Sequence, residues 1–479
     1  MQTRNGINNQ WISADTGAEI IVRNPATDAE VARVPNCSHA ETNRAIEAAA
    51  DAFPAWRSTT AAERAAMLTR FAGIMRRDAD RLAAILTREQ GKPLAEANGE
   101  ILYAASFLEW SAGEGVRVRG EMIPASSPGK RILIMQQPVG VCAAITPWNF
   151  PSAMITRKLG PALAAGCTMV IKPAEQTPLS AIALMELAME AGFPPGVVNV
   201  ITGDAESIGQ AIFAHQSVRK VSFTGSTEVG RKLMALAAPQ IKRLSLELGG
   251  HAPFIVFEDA DLDAAVAGAM ASKFRNGGQT CVCANRFLVH ERVYDAFASK
   301  LAHAAASLRV GPGDQPNVQI GPLIDDAAVE KVQRHVEDAL SRGASVRTGG
   351  RLADVPGFAK RFYMPTVLEN VSRDMLVCHE ETFGPVAPLL RFSEEREAIE
   401  LANDSPYGLA SYFYTRDASR LIRVAEALDC GVVGANDGMP STAQAPFGGV
   451  KQSGFGREGG RQGIEEYLST KYVSIGLGS

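Results

Sequence analysis

Between residues 139 and 223 short apolar runs alternate with helical patterns, and this alternation constrains the fold more than any other feature. A β-rich run over 139–146 stops at Pro147. Helical patterns over 153–165, 180–191 and 205–215 then interleave with apolar runs at 168–171, 197–201 and 220–223. Strands separated by helices cannot pair as hairpins, so they run parallel with the helices covering the sheet. The expected fold class is α/β, with a Rossmann-like parallel sheet. Ligands of such sheets collect beyond the carboxyl ends of the strands. That rule singles out Trp148 and Asn149, residues 172–175, Gly203 and residues 224–226. A second alternating region runs from 252 to about 433, with strands expected at 254–257, 286–290 and 386–392 and a helix near 325–341. Helices are also predicted over 61–87 and 94–110, separated by a breaker at Gly91-Lys92-Pro93, and residues 131–136 and 466–475 read as extended.

Charge excludes some functions. Forty-eight basic residues face 52 acidic ones, leaving a net charge of -4 and no basic excess for nucleic acid. The start, MQTRNGINNQWIS, lacks the apolar core of a secretory signal. The longest weakly polar stretch, 161–171, is about half of what a membrane-spanning helix requires. Seven cysteines are an odd number, and the C-x-C pair at 281 and 283 lacks zinc-knuckle spacing. The expectation is a cytoplasmic protein without a disulfide framework, a metal, a membrane or a nucleic-acid partner.

Two glycine-rich stretches invite a nucleotide reading. GFGREG at 454–459 matches the dinucleotide fingerprint literally, but only about 20 residues follow it, too few for a βαβ unit. It reads as a surface loop. FTGSTEVG at 223–230 does follow a strand and open a helix, where N–H groups suit a phosphate or Ser226 simply caps. Elsewhere Cys281 stands in NGGQTC, a polar segment whose glycines permit close backbone approach; Glu247 stands among leucines in LSLELGG, where apolar surroundings would raise its pKa. Taken singly, Cys281 reads as a small buried thiol and Glu247 as a glutamate on a strand's solvated face; taken together, a cysteine nucleophile and a carboxylate base would form a covalent catalytic set.

Seven segments occur in this order: TPWNFP (146–151), KPAE (172–175), FTGS (223–226), LELGG (246–250), NGGQTC (276–281), EETFGP (380–385) and PFGGVKQSG (446–454). Together they resemble the aldehyde dehydrogenase superfamily, from about Asn24 onward. The resemblance implies a nucleophile at Cys281, a base at Glu247, and an oxyanion hole from the Asn149 amide and the Cys281 N–H. It also implies an NAD site, with NADP as the alternative. Lys172 and Glu175 would hold the adenosine ribose, Ser226 the pyrophosphate, and Glu381 and Phe383 the nicotinamide end, with Thr224 and Gly225 also in the site. Thr146, Pro147, Trp148, Gly209 and Leu248 would complete that site. Glu175 would accept from both ribose hydroxyls and repel a 2′-phosphate, which favours NAD.

Within the superfamily the chain is most similar to succinate-semialdehyde dehydrogenases. Arg157 in SAMITRK and Arg275 in KFRNGGQTC match the arginines that grip the distal carboxylate there, and Ser441 matches the serine. The stretch GANDGMPSTAQ departs from that subfamily, so glutarate semialdehyde or another ω-oxo acid is the alternative substrate. Cys283 is a redox partner for Cys281 or a space-filling thiol. The expected domains are 1–122 with 142–248 for NAD binding and 249–445 for catalysis. Strands at 123–141 and 462–479 would serve oligomerisation, giving a homodimer or homotetramer. A cysteine-dependent esterase and a non-catalytic nucleotide-binding protein are the rival functions.

Overall fold

The computed structural model describes residues 1–477, so residues 478 and 479 of the expected tail lie outside the described residues. The first sheet has eight strands. Its five central members lie in the order Val198–Val200, Thr168–Lys172, Val141–Ile145, Val218–Thr224, Arg243–Glu247, all parallel. Asn5–Ile7 and Gln10–Ile12 extend one edge, and Gly454–Phe455 pairs antiparallel with Arg243–Glu247 at the other. The chain enters at Val141–Ile145, builds outward, then crosses back to Val218–Thr224. This reversal is the switch point of the sheet, with residues 146–149 and 224–226 at its carboxyl end.

The second sheet repeats the scheme. Ser345–Thr348 pairs antiparallel with Thr366–Glu369, followed by parallel Val386–Phe392, Ala284–His290, Ala252–Val256, Ala410–Tyr414 and Val432–Ala435. A third, antiparallel sheet joins Glu121–Ile123, Lys130–Pro138 and Leu468–Gly476. No helix among the described residues is long and apolar enough to cross a membrane.

Local chemistry set several boundaries. The helix expected over 61–87 is two, Ala61–Arg77 and Ala79–Gln90, because Asp78 caps between them. Thr60 and Glu63 form a capping box at the start of the first. Gly91 ends the second in the left-handed region at φ 93°. The helix predicted over 94–110 runs on as Leu94–Gly115. GFGREG is no surface loop. Gly454 and Phe455 extend the first sheet, and Ser453 and Glu458 are buried beside them.

Candidate active site

Cys281 is presented by a tight turn. The helix Leu262–Phe274 gives way to a 3₁₀ turn, Arg275–Gly278, in which Asn276, Gly277 and Gly278 all adopt positive φ. Gly278 lies against Gly384, where a Cβ would strike the carbonyl oxygen, so only glycine fits. The Cys281 thiol is free and half-buried. Burial pushes its pKa up to about 12; the charges of Arg157 and Arg275 pull it down, and Glu381 and Glu247 oppose them.

Glu247 ends the strand Arg243–Glu247 and is 3% exposed. Neither carboxylate oxygen has a hydrogen-bond partner among the described residues. Burial raises its pKa well above the ordinary glutamate value, and the nearby Glu458 charge adds to the shift. Glu458 behaves oppositely: Lys158 donates to one oxygen, the Arg157 Nε lies 2.9 Å from the other, and these cations hold its pKa down. Of the two buried carboxylates, Glu458 is thus the ion-paired one and Glu247 the one with free oxygens. Glu458 and Lys158 were not singled out from sequence, although Glu458 lies inside GFGREG.

Asn149 is buried at the switch point. Its Nδ2 donates to the Gln279 carbonyl at 3.1 Å, its Oδ1 has no partner, and its own carbonyl accepts from Lys92 and Asn276. The first sheet thereby reaches the loop that carries Cys281.

Arg275 and Ser441 line one enclosed cavity with Ser272, Val282, Tyr412 and Pro440. The Ser272 hydroxyl is buried there without a partner. Arg157 is not with them. It lines a separate cavity with Phe107 and Trp110, stacks 3.9 Å over Phe447 and is engaged by Glu458. Arg157 and Arg275 thus line different cavities, and while the Arg157 Nε faces Glu458, its buried Nη2 has no hydrogen-bond partner among the described residues. The Cys283 thiol is turned to Lys273, whose Nζ lies 3.2 Å away.

Of the residues expected to hold a dinucleotide, those at 146–148, 172–175, 224–226 and 248 end or follow strands of the first sheet, Gly209 lies in the helix Ala205–Ala214, and Glu381 and Phe383 lie in the loop before Val386–Phe392 of the second sheet. Lys172 ends a strand and bonds Glu175, and Ser226 caps the helix Thr227–Ala237 through Val229 N–H. Gly209 has open space where a Cβ would stand, and the Thr146 hydroxyl is buried without a partner. Glu381 accepts from Gly250 N–H, and burial raises its pKa to about 7. Phe383 adopts φ 55° and meets Trp148 edge-on at 5.6 Å. Leu248 packs against Gly230, whose missing side chain makes room for it. An open cradle with an orphaned hydroxyl and a capped helix start fits a dinucleotide.

Fold and site define a cysteine-centred enzyme on a doubly wound scaffold. The aldehyde dehydrogenase family pattern matches residues 11–473, and the chain belongs to that family. It is 58% identical over 471 residues to a glutarate-semialdehyde dehydrogenase of Pseudomonas putida, covering 98% of this chain and 97% of that one. It is 57% identical over 471 residues to an NADP⁺ succinate-semialdehyde dehydrogenase of Escherichia coli, with the same 98% and 97% coverage. The solved succinate-semialdehyde dehydrogenase of Burkholderia pseudomallei superposes with a TM-score of 0.98 at 57% identity, covering 99% of this chain and 98% of that one.

Proposed function

We propose that this aldehyde dehydrogenase oxidises an ω-oxo acid, succinate semialdehyde first and glutarate semialdehyde second, to the dicarboxylate. The observation that carries the substrate class is the cavity shared by Arg275 and Ser441: Arg275 stands six residues upstream of Cys281, and Val282, next to the nucleophile in the chain, lines the same cavity. A guanidinium and a hydroxyl in one cavity match a carboxylate held at a distance from the reacting carbon.

In this reading the Cys281 sulfur attacks the aldehyde carbon and forms a thiohemiacetal. The Asn149 amide and the Cys281 N–H receive the developing oxyanion. A bound nicotinamide dinucleotide would supply the hydride acceptor that oxidation of this adduct to a Cys281 thioester requires. Lys172, Glu175, Ser226, Glu381 and Phe383 hold that cofactor, and Glu175 favours NAD over NADP. Glu247 then takes a proton from a water, which hydrolyses the thioester to the free acid.

The test compares succinate, glutarate and unsubstituted aliphatic aldehydes with NAD and NADP. The expected result is a kcat/KM at least about tenfold higher for the ω-oxo acids, the scale of one charge-assisted hydrogen bond. Equal values for all three aldehydes would remove the carboxylate assignment. The antiparallel sheet of 121–123, 130–138 and 468–476 supports assembly into a homo-oligomer through its open edge.

A further inference from the structure

The breaker at Gly91-Lys92-Pro93 takes no part in the chemistry above, yet the turn around it reaches the centre of the site. It joins the helices Ala79–Gln90 and Leu94–Gly115. Gln90 Nε2 donates to Asn276 Oδ1 at 3.1 Å. Lys92 is 2% exposed, and its Nζ lies 2.6 Å from Glu100 Oε2, in an ion pair whose two side chains are each 1% exposed. The same Nζ donates to the Asn149 carbonyl at 2.8 Å and sits 3.9 Å over the Phe150 ring. The other Glu100 oxygen accepts from the N–H groups of Ser152 and Ala153, at the start of the helix Ala153–Ala165. Lys92 and Glu100 therefore hold the Asn149 carbonyl and, three residues on, the start of the helix that follows.

Asn276 closes the arrangement. Its Nδ2 donates to the carbonyls of Asn149 and Gln279, at 3.1 and 3.2 Å. Gln279 is also the acceptor of the Asn149 amide. Asn149 lies in a loop between a strand and a helix, so no sheet ladder fixes its backbone. The two donors to its carbonyl, Lys92 and Asn276, do so instead. Desolvating an ammonium and a carboxylate is costly, and a buried pair of this kind is most useful where it fixes geometry.

We propose that Lys92 is a positioning residue for the oxyanion hole, holding the Asn149 backbone so that its side-chain amide faces the carbon attacked by Cys281. This rests on Asn149 being an oxyanion donor. A misplacement of about 1 Å in such a group can cost about a hundredfold in rate.

The experiment measures Lys92→Met, Asn149→Ala and the double variant of the full-length enzyme, with kcat, nucleotide Kd and alkylation of Cys281 by iodoacetamide as readouts. Alkylation develops no oxyanion, so it reports the thiol alone. Lys92→Met is expected to lower kcat about ten- to a hundredfold, on the scale of one misplaced donor. Nucleotide Kd and alkylation should stay within about twofold, and in the Asn149→Ala background the same substitution should cost less than about threefold, because the two act as a unit. Unchanged kcat, additive losses in the double variant, or alkylation falling in parallel with kcat would each overturn the proposal. If Lys92→Met does not fold, Glu100→Gln, which keeps an acceptor for Ser152 and Ala153 but removes the charge facing Lys92, decides by the same readouts. Should Asn149→Ala itself leave kcat unaltered, the oxyanion role of Asn149 falls first, a separate failure.

Discussion

Glu247 and Glu458 lie in one buried wall, and the difference between them is one of partners. Lys158 and Arg157 hold Glu458 ionised, while Glu247 keeps both oxygens free and its pKa raised. A free carboxylate whose pKa is raised is a stronger base than an ordinary glutamate. Glu247→Gln should leave acylation of Cys281 in place and slow hydrolysis by about 10² to 10⁴, the usual worth of a general base. Mass spectrometry after one turnover should find the acyl-enzyme in the variant and little in the wild type. The base acts only when deprotonated, so wild-type hydrolysis should fall as pH drops through the raised Glu247 pKa, above the ordinary glutamate range. Arg275 belongs to the other end of the substrate. Arg275→Met should lower kcat/KM for an ω-oxo acid about ten- to a hundredfold, the worth of charge-assisted hydrogen bonds. Steady-state rates with an unsubstituted aliphatic aldehyde should stay within about twofold, and an equal loss on both substrates would give Arg275 a structural role.

The two-residue strand Gly454–Phe455 is the element that encloses Glu247. It pairs Gly454 with Glu247 and Phe455 with Leu246. Gly454 has φ 107°, and a Cβ there would strike the Leu246 carbonyl; a Cβ on Gly448 would stand 2.7 Å from Glu247 Oε1. Gly454→Ala must strain the backbone or part the strands, at about 1–3 kcal/mol. A lower melting temperature together with slowed deacylation is the expected outcome, and an unaltered melt would show that the strand moves freely. Parts of this arrangement were legible beforehand. The alternation over 139–223 is a long-range pattern that hydrophobicity alone can carry, and its strands lie where periodicity puts them, within two residues at each boundary. Cys281, Glu247 and Asn149 stood out only as members of ordered motifs; Glu247 alone reads as well as a solvated strand residue, yet it is buried. Strands of two or three residues, such as Asn5–Ile7 and Gly454–Phe455, carry no periodicity of their own and exist because a sheet edge is there to receive them. The pairing of Arg157 with Glu458 spans some 300 residues of chain, and no local spacing could indicate it.

At the scale of the whole molecule, the third sheet is what a single chain leaves unfinished. Leu468–Gly476 pairs with Lys130–Pro138 on one side and has no neighbour on the other among the described residues, so a nine-residue edge stands open. Met122 is 70% exposed, Tyr472 60% and Met135 43% on the same small sheet. Long open edges with apolar side chains template pairing with another chain, and a stable protein covers them. The tail also returns to the first sheet. Tyr467 is buried with its hydroxyl 2.8 Å from Ser222, and Glu466 Oε2 accepts from Ser245 and Lys220. A partner that ordered Leu468–Gly476 would thus brace the strands Val218–Thr224 and Arg243–Glu247, which carry Thr224 and Glu247 at their ends. Tyr472→Asp places a charge on the open face without touching those anchors. Sedimentation should find the wild type as a dimer or tetramer and the variant shifted toward monomer, with turnover per chain and thermal stability falling together as dissociation proceeds. A wild type that sediments as a monomer at micromolar concentration would remove the partner from the account, and a monomeric variant of full activity would show that the tail braces those strands unaided.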